Sequence, residues 1–326
     1  MVAESASVDN NKVATASERQ PLVTIGIPTY NRADGYLRQA IDSALGQTYE
    51  KIEIVVSDNC SSDGTEALVG SIGAPNLRYF RHETNIGANN NFNFLLHQAK
   101  GDYFLLLHDD DLVDTDFVEA CMKATEPSYD TGIVRTGTRI VDATGRVIRE
   151  RPNRACGLSS DNFFLAWFRH RTALYLCSTL FHTKRLREVG GFKSKNNLFQ
   201  DAMAEVQLAA RWGQVGIPGV KASFRSDRSK MTHSARVADW CDDSLELLDV
   251  ICDLANEDKV KMRREGLRFF AKLNYGFAKS VKSPLNRALA FLVVYHKFNY
   301  RRFPPPIHRF LVRTPVYRLV RSQRQR

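Results

Sequence analysis

Three groups of polar residues in the first 111 positions each follow a short apolar run. They are PTYNR (28–32), SDNCSSDGT (57–65) and HDDD (108–111). Three consecutive carboxylates repel one another and raise one another's pKa unless a cation is present. A divalent ion held by one or two carboxylates and by a substrate diphosphate would relieve that repulsion. The alternative is an acidic helix N-terminus, since Asp114 and Asp116 follow.

Asp58, in the second group, could bind a nucleoside. A carboxylate at the end of a strand can accept hydrogen bonds from a ribose. The alternative is an Asx turn or a helix cap, the role that Asp63-Gly64-Thr65 suits. The sequence contains no G-x-G-x-x-G and no G-K-[ST], which argues against a dinucleotide-binding fold and a P-loop NTPase.

Apolar runs of strand length alternate with helical patterns through the first half of the chain. This rhythm predicts an α/β protein with a parallel sheet and helices on both faces. Ligands bind beyond the carboxyl ends of such strands, which is where the three polar groups lie. The predicted strands are 22–27, 52–57, 77–80 and 103–107, and the predicted helices are 36–45, 65–72, 90–99 and 114–124.

The middle of the chain is mixed, and the remainder is helical. A hairpin is expected near Thr144-Gly145, an apolar run covers 174–181, and a helix is expected over 201–212. Short strands are expected near 215–224, and the pattern is helical from residue 239 onward.

The order of these motifs resembles the family 2 glycosyltransferases of GT-A fold. The resemblance covers residues 21–235 and rests on PTYNR, SDN-SSDGT, NIGANNN (85–91), GDYFLLLHDDD (101–111), VGGF (189–192), QDAMAEVQLAARWG (200–213) and Phe224-Arg225. It implies a mixed, mostly parallel sheet flanked by helices. Three regions are then expected: a flexible N-terminal arm (1–20), a GT-A domain (21–238) and a basic helical C-terminal extension (239–326).

The resemblance also implies roles for individual residues. Asp110 and Asp111 would hold Mg²⁺ or Mn²⁺, and His108, where the family's first acid often stands, could be a ligand or only a neighbour. Asp201 would be the catalytic base, although the family's Glu-Asp pair is Gln200-Asp201 here; a helix N-terminal acid is the alternative. The donor-binding residues would be Pro28, Thr29, Tyr30, Arg32, Asp58, Asn85, Gly87, Asn90, Asp109 and Arg225.

The implied activity is inverting transfer of a hexosyl or deoxyhexosyl group from a nucleotide-diphospho-sugar. The acceptor would be a hydroxyl of a saccharide or lipid-linked saccharide, in cell-surface polysaccharide synthesis. One alternative is a sugar-nucleotide nucleotidyltransferase, which would need a Gly-rich basic loop that PTYNR lacks. Another is a non-catalytic nucleic-acid-binding protein acting through the basic tail, but no nucleic-acid-binding module is recognisable.

The net charge of +10 is unevenly distributed. Residues 259–326 contain eighteen Lys and Arg and one acid, Glu265, for a net +17, whereas residues 1–258 carry −7. A basic amphipathic helix on an anionic membrane surface fits this tail. The alternative is a helical cap on the acidic body with solvated Lys and Arg. No specific nucleic-acid partner is expected.

Hydropathy and cysteine usage indicate the compartment. The longest apolar run in the tail, Ala288–Tyr295, has eight residues, whereas a membrane span needs about 20. Residues 1–20 lack the apolar core of a signal peptide. The six cysteines form no C-x-x-C pair, which favours free thiols. We therefore expect a cytoplasmic protein, peripheral on the cytoplasmic face of the membrane.

Overall fold

The computed structural model describes residues 20–126, 128–226 and 235–299, so the predicted arm (except residue 20) and the tail after residue 299 lie outside it. The strands are β1 (Val23–Thr29), β2 (Ile52–Asp58), β3 (Leu77–Arg81), β4 (Tyr103–Leu106), β5 (Leu112–Val113), β6 (Ile133–Val141), β7 (Val147–Arg151), β8 (Thr179–His182) and β9 (Gln214–Arg225). The helices are α1 (Leu37–Leu45), α2 (Thr65–Gly70), α3 (Ala88–Gln98), α4 (Phe117–Thr125), α5 (Ser160–Phe168), α6 (Thr183–Glu188), α7 (Gln200–Trp212), α8 (Val237–Leu254), α9 (Lys259–Lys279) and α10 (Pro284–Lys297).

The first half of the sheet is parallel and buried on both faces. Its strand order is β3-β2-β1-β4, as the alternating pattern predicts. Helix α1 buries Leu37 and Ile41 on one face of the sheet, and α3 buries Leu95 on the other. These helices have apolar residues spaced by three and four, which gives each a single apolar stripe. The carboxyl ends of β1, β2 and β4 therefore meet at one edge.

The second half of the sheet is mixed. Strand β8 lies between β4 and β6 and is antiparallel to both, β6 pairs in parallel with β9, and β5 adds antiparallel to β9. The hairpin expected near Thr144-Gly145 joins β6 and β7. Where short strands are expected near 215–224, there is one twelve-residue strand, β9. Its register against β6 shifts near Gly137, so a bulge absorbs the extra residues in one continuous strand.

The C-terminal region is helical, and its helices share a hydrophobic cluster with the sheet and with α5 and α7. The ring of Trp167 on α5 lies 5.0 Å from that of Phe269 on α9, and Phe199 lies 5.3 Å from Trp240 on α8. Helices α8–α10 therefore form a wall beside α7. Across the described ranges, every helix is too short or too polar to cross a bilayer.

Candidate active site

The acid motif, residues 108–111, begins two residues after the end of β4. Its Asp109 faces the end of β1. The Oγ1 of Thr29 donates a hydrogen bond of 2.9 Å to Asp109 Oδ2, and the Arg32 Nε lies 3.9 Å from the same oxygen. Burial raises the pKa of Asp109 to about 6, although Thr29 and Arg32 both act to lower it. The motif at 28–32 and the acid motif thus meet at one edge, as predicted.

The next residues form a candidate metal centre. One ligand atom each from His108, Asp110 and Asp111 lie within 4.8 Å of one another. Asp110 and Asp111 are buried, and the His108 ring lies 5.3 Å from that of Phe92. Two carboxylate oxygens and an imidazole nitrogen are ligands suited to a divalent transition metal. The donor set therefore fits the predicted cation, with His108 beside the two acids.

Arg225, at the end of β9, holds the acid motif in place. Its backbone N–H donates to Asp111 Oδ1 at 2.8 Å, and its Nε donates to the Asp110 carbonyl at 2.9 Å. Its guanidinium is buried, 3.9 Å above the ring of Tyr36, and also bonds the carbonyl of Asp142. The buried guanidinium is fully engaged with protein, so the geometry supports a positioning role; the predicted donor contact of Arg225 stays a prediction.

Asp58 is wholly buried at the end of β2. Its Oδ2 accepts a hydrogen bond of 2.6 Å from the Tyr79 hydroxyl, and its Oδ1 accepts one of 2.9 Å from the Ser61 N–H. The sequence left open a ligand role and an Asx turn. The hydrogen bond to the residue three positions on shows the turn, while the nucleoside contact remains a prediction.

The loop predicted to cross the donor lies beside β2. The Asn59 Oδ1 accepts a hydrogen bond of 2.8 Å from the Ile86 N–H, and its Nδ2 donates one of 2.9 Å to Asn85 Oδ1. These two bonds fix the loop to the end of β2. Gly87 has φ +82°, a conformation that favours glycine, and opens α3. Asn85, Gly87 and Asn90 are all exposed. The loop is thus held at its base and open to a ligand along its outer side.

The sequence analysis missed the part played by Asn93. Its Oδ1 accepts from the Phe192 N–H at 2.9 Å, and its Nδ2 donates to the Phe192 carbonyl at 2.9 Å. This pair docks the VGGF turn onto α3. A Cβ on Gly191, which has φ +73°, would lie 2.3 Å from Asn93 Oδ1. The asparagine run and the double glycine were visible in the sequence, but their pairing across 99 residues was not.

Asp201 lies in the first turn of α7, where its Oδ1 accepts the Ala202 N–H at 2.8 Å. Burial raises the pKa of Asp201 from its ordinary value, and this N–H lowers it by less. One turn on, burial raises the pKa of Glu205 to about 8, although the positive charge of Arg135 acts to lower it. The Arg135 Nε lies 3.0 Å from Glu205 Oε2, and both side chains are buried.

The strand register and one ion pair connect this helix to the strands beside β4. Leu105 of β4 faces Leu180 of β8, so Thr179 lies next to the carboxyl end of β4. Thr179 faces Arg135 on β6, and the Arg135 guanidinium contacts Glu205. Asp201, one turn before Glu205, is thus linked through Glu205 and Arg135 to the strands that follow β4 in the sheet.

Helix α8 fixes the loop that leads into α7. The Oδ2 of buried Asp243 accepts from the Ser194 hydroxyl at 2.7 Å and from the Leu198 N–H at 3.0 Å. Its Oδ1 accepts from the Asn196 N–H at 2.8 Å. The C-terminal helices thus contribute directly to the position of Asp201.

Comparisons with known proteins agree with this architecture. Residues 24–182 match the profile of Glycosyl transferase family 2. An uncharacterized glycosyltransferase of Rickettsia felis is 36% identical over 186 residues, which is 56% of this chain and 30% of that protein. The succinoglycan biosynthesis protein ExoO of Rhizobium meliloti is 33% identical over 134 residues, covering 41% of this chain and 38% of ExoO. The matches thus span less than half of either relative.

A solved structure supports the fold over a longer span. Residues 1–349 of S. aureus TarS, in complex with UDP-GlcNAc, superpose with a TM-score of 0.63 at 17% identity. The alignment covers 86% of this chain and 82% of that one, so it includes the C-terminal helices as well as the sheet. The predicted GT-A fold class is confirmed, and residues 24–182 carry a family 2 glycosyltransferase domain.

Proposed function

We propose that this protein transfers a sugar, with inversion, from a nucleotide-diphospho-sugar to a hydroxyl of a saccharide or lipid-linked saccharide. The bond between the anomeric carbon and the diphosphate breaks, and a bond from the acceptor oxygen to that carbon forms. The acceptor proton passes to Asp201, and the nucleoside diphosphate leaves. The observation that carries this proposal is the group of His108, Asp110 and Asp111, which gathers an imidazole and two carboxylates just beyond the end of β4.

The donor would lie along the ends of β1 and β2. Tyr30 and Arg32 are exposed there, as are the loop residues Asn85 and Asn90. TarS binds UDP-GlcNAc in the structure that shares this fold, and a uridine or related nucleotide is the donor class proposed here. Asp58 and Arg225, both buried, would act by fixing the strand end and the acid motif.

Mg²⁺ or Mn²⁺ would be held by Asp110 and Asp111, and it would offset the negative charge of the leaving diphosphate. If His108 is also a ligand, the mixed nitrogen and oxygen donor set favours Mn²⁺, because Mg²⁺ strongly prefers oxygen. Asp109 is bonded to Thr29 and belongs to the rim of the site.

The half-buried position of Asp201 suits a general base. Its pKa is raised, so it has a greater affinity for the acceptor proton than an exposed aspartate has. Its helix is fixed from two sides, by Asp243 through the preceding loop and by the pair of Glu205 and Arg135. Such fixation keeps the carboxylate oriented toward one acceptor hydroxyl.

A donor screen tests this proposal. UDP-, dTDP- and GDP-sugars with Mn²⁺ are added to the protein, and the melting temperature is measured. We expect one nucleotide class to raise it, and Asp110→Ala to abolish the rise. Asp116→Ala is the matched control, because Asp116 lies in the same acidic stretch outside the metal group and pairs with Lys221. If none of the nucleotide sugars raised the melting temperature, the proposed donor site would be wrong.

We also propose that the C-terminal helices dock on an anionic membrane surface. Leu285, Leu289 and Leu292 are 72%, 52% and 57% exposed and, being spaced by four and three, share one face of α10. Residues 259–326 carry net +17, which complements anionic lipid headgroups. A membrane-bound protein would meet a lipid-linked acceptor at the surface that carries it.

The family match favours glycosyl transfer over the two alternatives left open by the sequence. In nucleotidyl transfer, an ionised sugar phosphate attacks the α-phosphorus of a nucleoside triphosphate and pyrophosphate leaves, so no general base such as Asp201 is needed. A purely nucleic-acid-binding role would leave the acid motif without a purpose.

A further inference from the structure

A basic cavity of about 420 Å³ opens between β7, the segment after α5, and α9. Its titratable lining is cationic apart from Glu150, which lies 3.9 Å from Arg139 of the neighbouring strand. The basic lining residues are Arg149, Arg151, Arg154, His170, Arg171 and Lys272. We call this the basic cavity.

The arginine and lysine charges of the basic cavity are not compensated by acids. Within residues 20–126, 128–226 and 235–299, none of these five side chains forms a hydrogen bond or an ion pair with a protein group. The Nε of Arg151 is buried without a hydrogen-bond acceptor. Burial, then Lys272 and Arg151, lower the pKa of His170, as expected where positive charges converge. Such a cluster is stabilised by an anion that binds among its members.

The basic cavity borders the proposed active site on the β9 side. Arg149 faces Ile140 of β6, and Ile140 faces Phe224 of β9. Two strand spacings, roughly 10 Å, thus separate the backbone of Arg149 from that of Phe224. Phe224 directly precedes Arg225, whose N–H bonds Asp111.

The basic cavity is also connected to the helix of the proposed base. Arg135, the ion-pair partner of Glu205, donates hydrogen bonds to Thr172 Oγ1 and to the Ala173 carbonyl. Both of these residues line the cavity. The cavity wall is therefore held by the same arginine that contacts Glu205 of α7, which links the cavity to the helix of the proposed base.

We propose that the basic cavity binds a phosphate or diphosphate group of the acceptor. This inference rests on the proposed transfer, in which the donor diphosphate is already assigned to the acid motif. Five cations exceed what one carboxylate would neutralise, whereas a diphosphate carries two or more charges, and arginine binds phosphate oxygens in pairs. A lipid-linked diphosphate and a phosphodiester polymer share this chemistry.

Calorimetry of the full chain in EDTA tests the inference. Without metal, the acid motif repels anions, so diphosphate binding reports on the basic cavity. The probes are octyl diphosphate, a short oligo(glycerol phosphate) and inorganic pyrophosphate. We expect an organic probe to bind, with affinity reduced about tenfold or more for each arginine removed in Arg149→Gln/Arg151→Gln. Lys184→Gln/Arg211→Gln, which removes the same charge from exposed positions outside the cavity, should bind as wild type does.

The comparison of the two organic probes shows which kind of acceptor supplies the phosphate. Preference for octyl diphosphate assigns a lipid-linked acceptor, and preference for the oligomer assigns a phosphodiester polymer. Absence of binding by both organic probes, or equal weakening by the two double variants, overturns the inference. UDP binding with Mn²⁺ is measured in parallel, so failure of the donor site is read separately from failure of the basic cavity.

Discussion

Asp201 combines a half-buried carboxylate with a place in the first turn of α7, and these two features have opposite effects on its pKa. The helix N-terminus and the Ala202 N–H favour the charged form, while burial disfavours it and has the larger effect on the pKa. The result is a carboxylate that accepts a proton more readily than a surface aspartate.

Replacement of this carboxylate should remove the base while leaving the fold intact. We expect Asp201→Asn to lower kcat by about 10²–10⁴. Because the base acts when deprotonated and its pKa is raised, wild-type turnover should fall on acidification at a pH above the ordinary aspartate range. A pH–rate profile with saturating donor measures both effects. Near wild-type turnover in Asp201→Asn would show that another group takes the proton.

Glu205 should make stability depend on pH. Its pKa rises from 4.5 unfolded to about 8 folded, so the folded state binds the proton more tightly. Its contribution to stability is therefore complete below about pH 4.5 and is lost as the pH rises toward 8. Urea unfolding at pH 5, 6.5 and 8 should show wild type losing stability relative to Glu205→Gln, which cannot titrate. Parallel pH curves for the two proteins would argue against the raised pKa.

Asp110, Asp111 and Asp201 could be proposed as site residues from the sequence because each lies in a motif with its own local pattern. The residues that hold them were not accessible in the same way. From the sequence, Arg225 was predicted to contact the donor. Only the structure shows that its backbone N–H bonds Asp111, 114 positions away, and so helps to position that acid. The basic cavity was missed because its members come from β7, the segment after α5, and α9.

At the scale of elements, α8 acts on α7 through a single buried side chain. Four donors from the loop at 194–198 converge on Asp243, and two of them are backbone N–H groups, which need an acceptor when they are buried. The order of that loop, and with it the start of α7, depends on this carboxylate.

Asp243→Ala should therefore affect both stability and activity. Loss of four charge-assisted bonds should lower the free energy of unfolding by about 3 kcal/mol or more. The remaining folded protein should also show a reduced kcat, because the start of α7 is less well ordered. Urea unfolding and turnover below the transition measure these changes. Asp249→Ala, an exposed acid of the same helix, is the control; equal losses in the two variants would contradict the assignment.

The elements of the first half could be predicted because each is encoded locally. Strands β1 to β4 are apolar runs between turn residues, and α1 and α3 have apolar stripes. The second half could not be predicted in the same detail. Whether β8 enters between β4 and β6, and whether β9 is one strand or two, depends on partners far away in the sequence.

At the scale of the whole molecule, the charge asymmetry and the leucines of α10 lead to a prediction about lipid binding. The full chain should sediment together with vesicles of mixed phosphatidylglycerol and phosphatidylcholine, and added salt should lower the fraction of protein bound. Leu285→Ser/Leu289→Ser/Leu292→Ser should release it. Val147→Ser/Ile148→Ser, which alters exposed apolar residues of β7, is the control. Retention of the leucine variant at wild-type level would exclude this face.

The aromatic contacts between α5 and α9 have a consequence for dissection of the protein. Phe163, Trp167, Phe168 and Phe199 pack in the same cluster as Trp240 and Phe270. A chain cut after residue 238 would present these rings to water, and an exposed aromatic surface of that kind promotes precipitation. The sheet half and the helical half should therefore be expressed, purified and crystallised together.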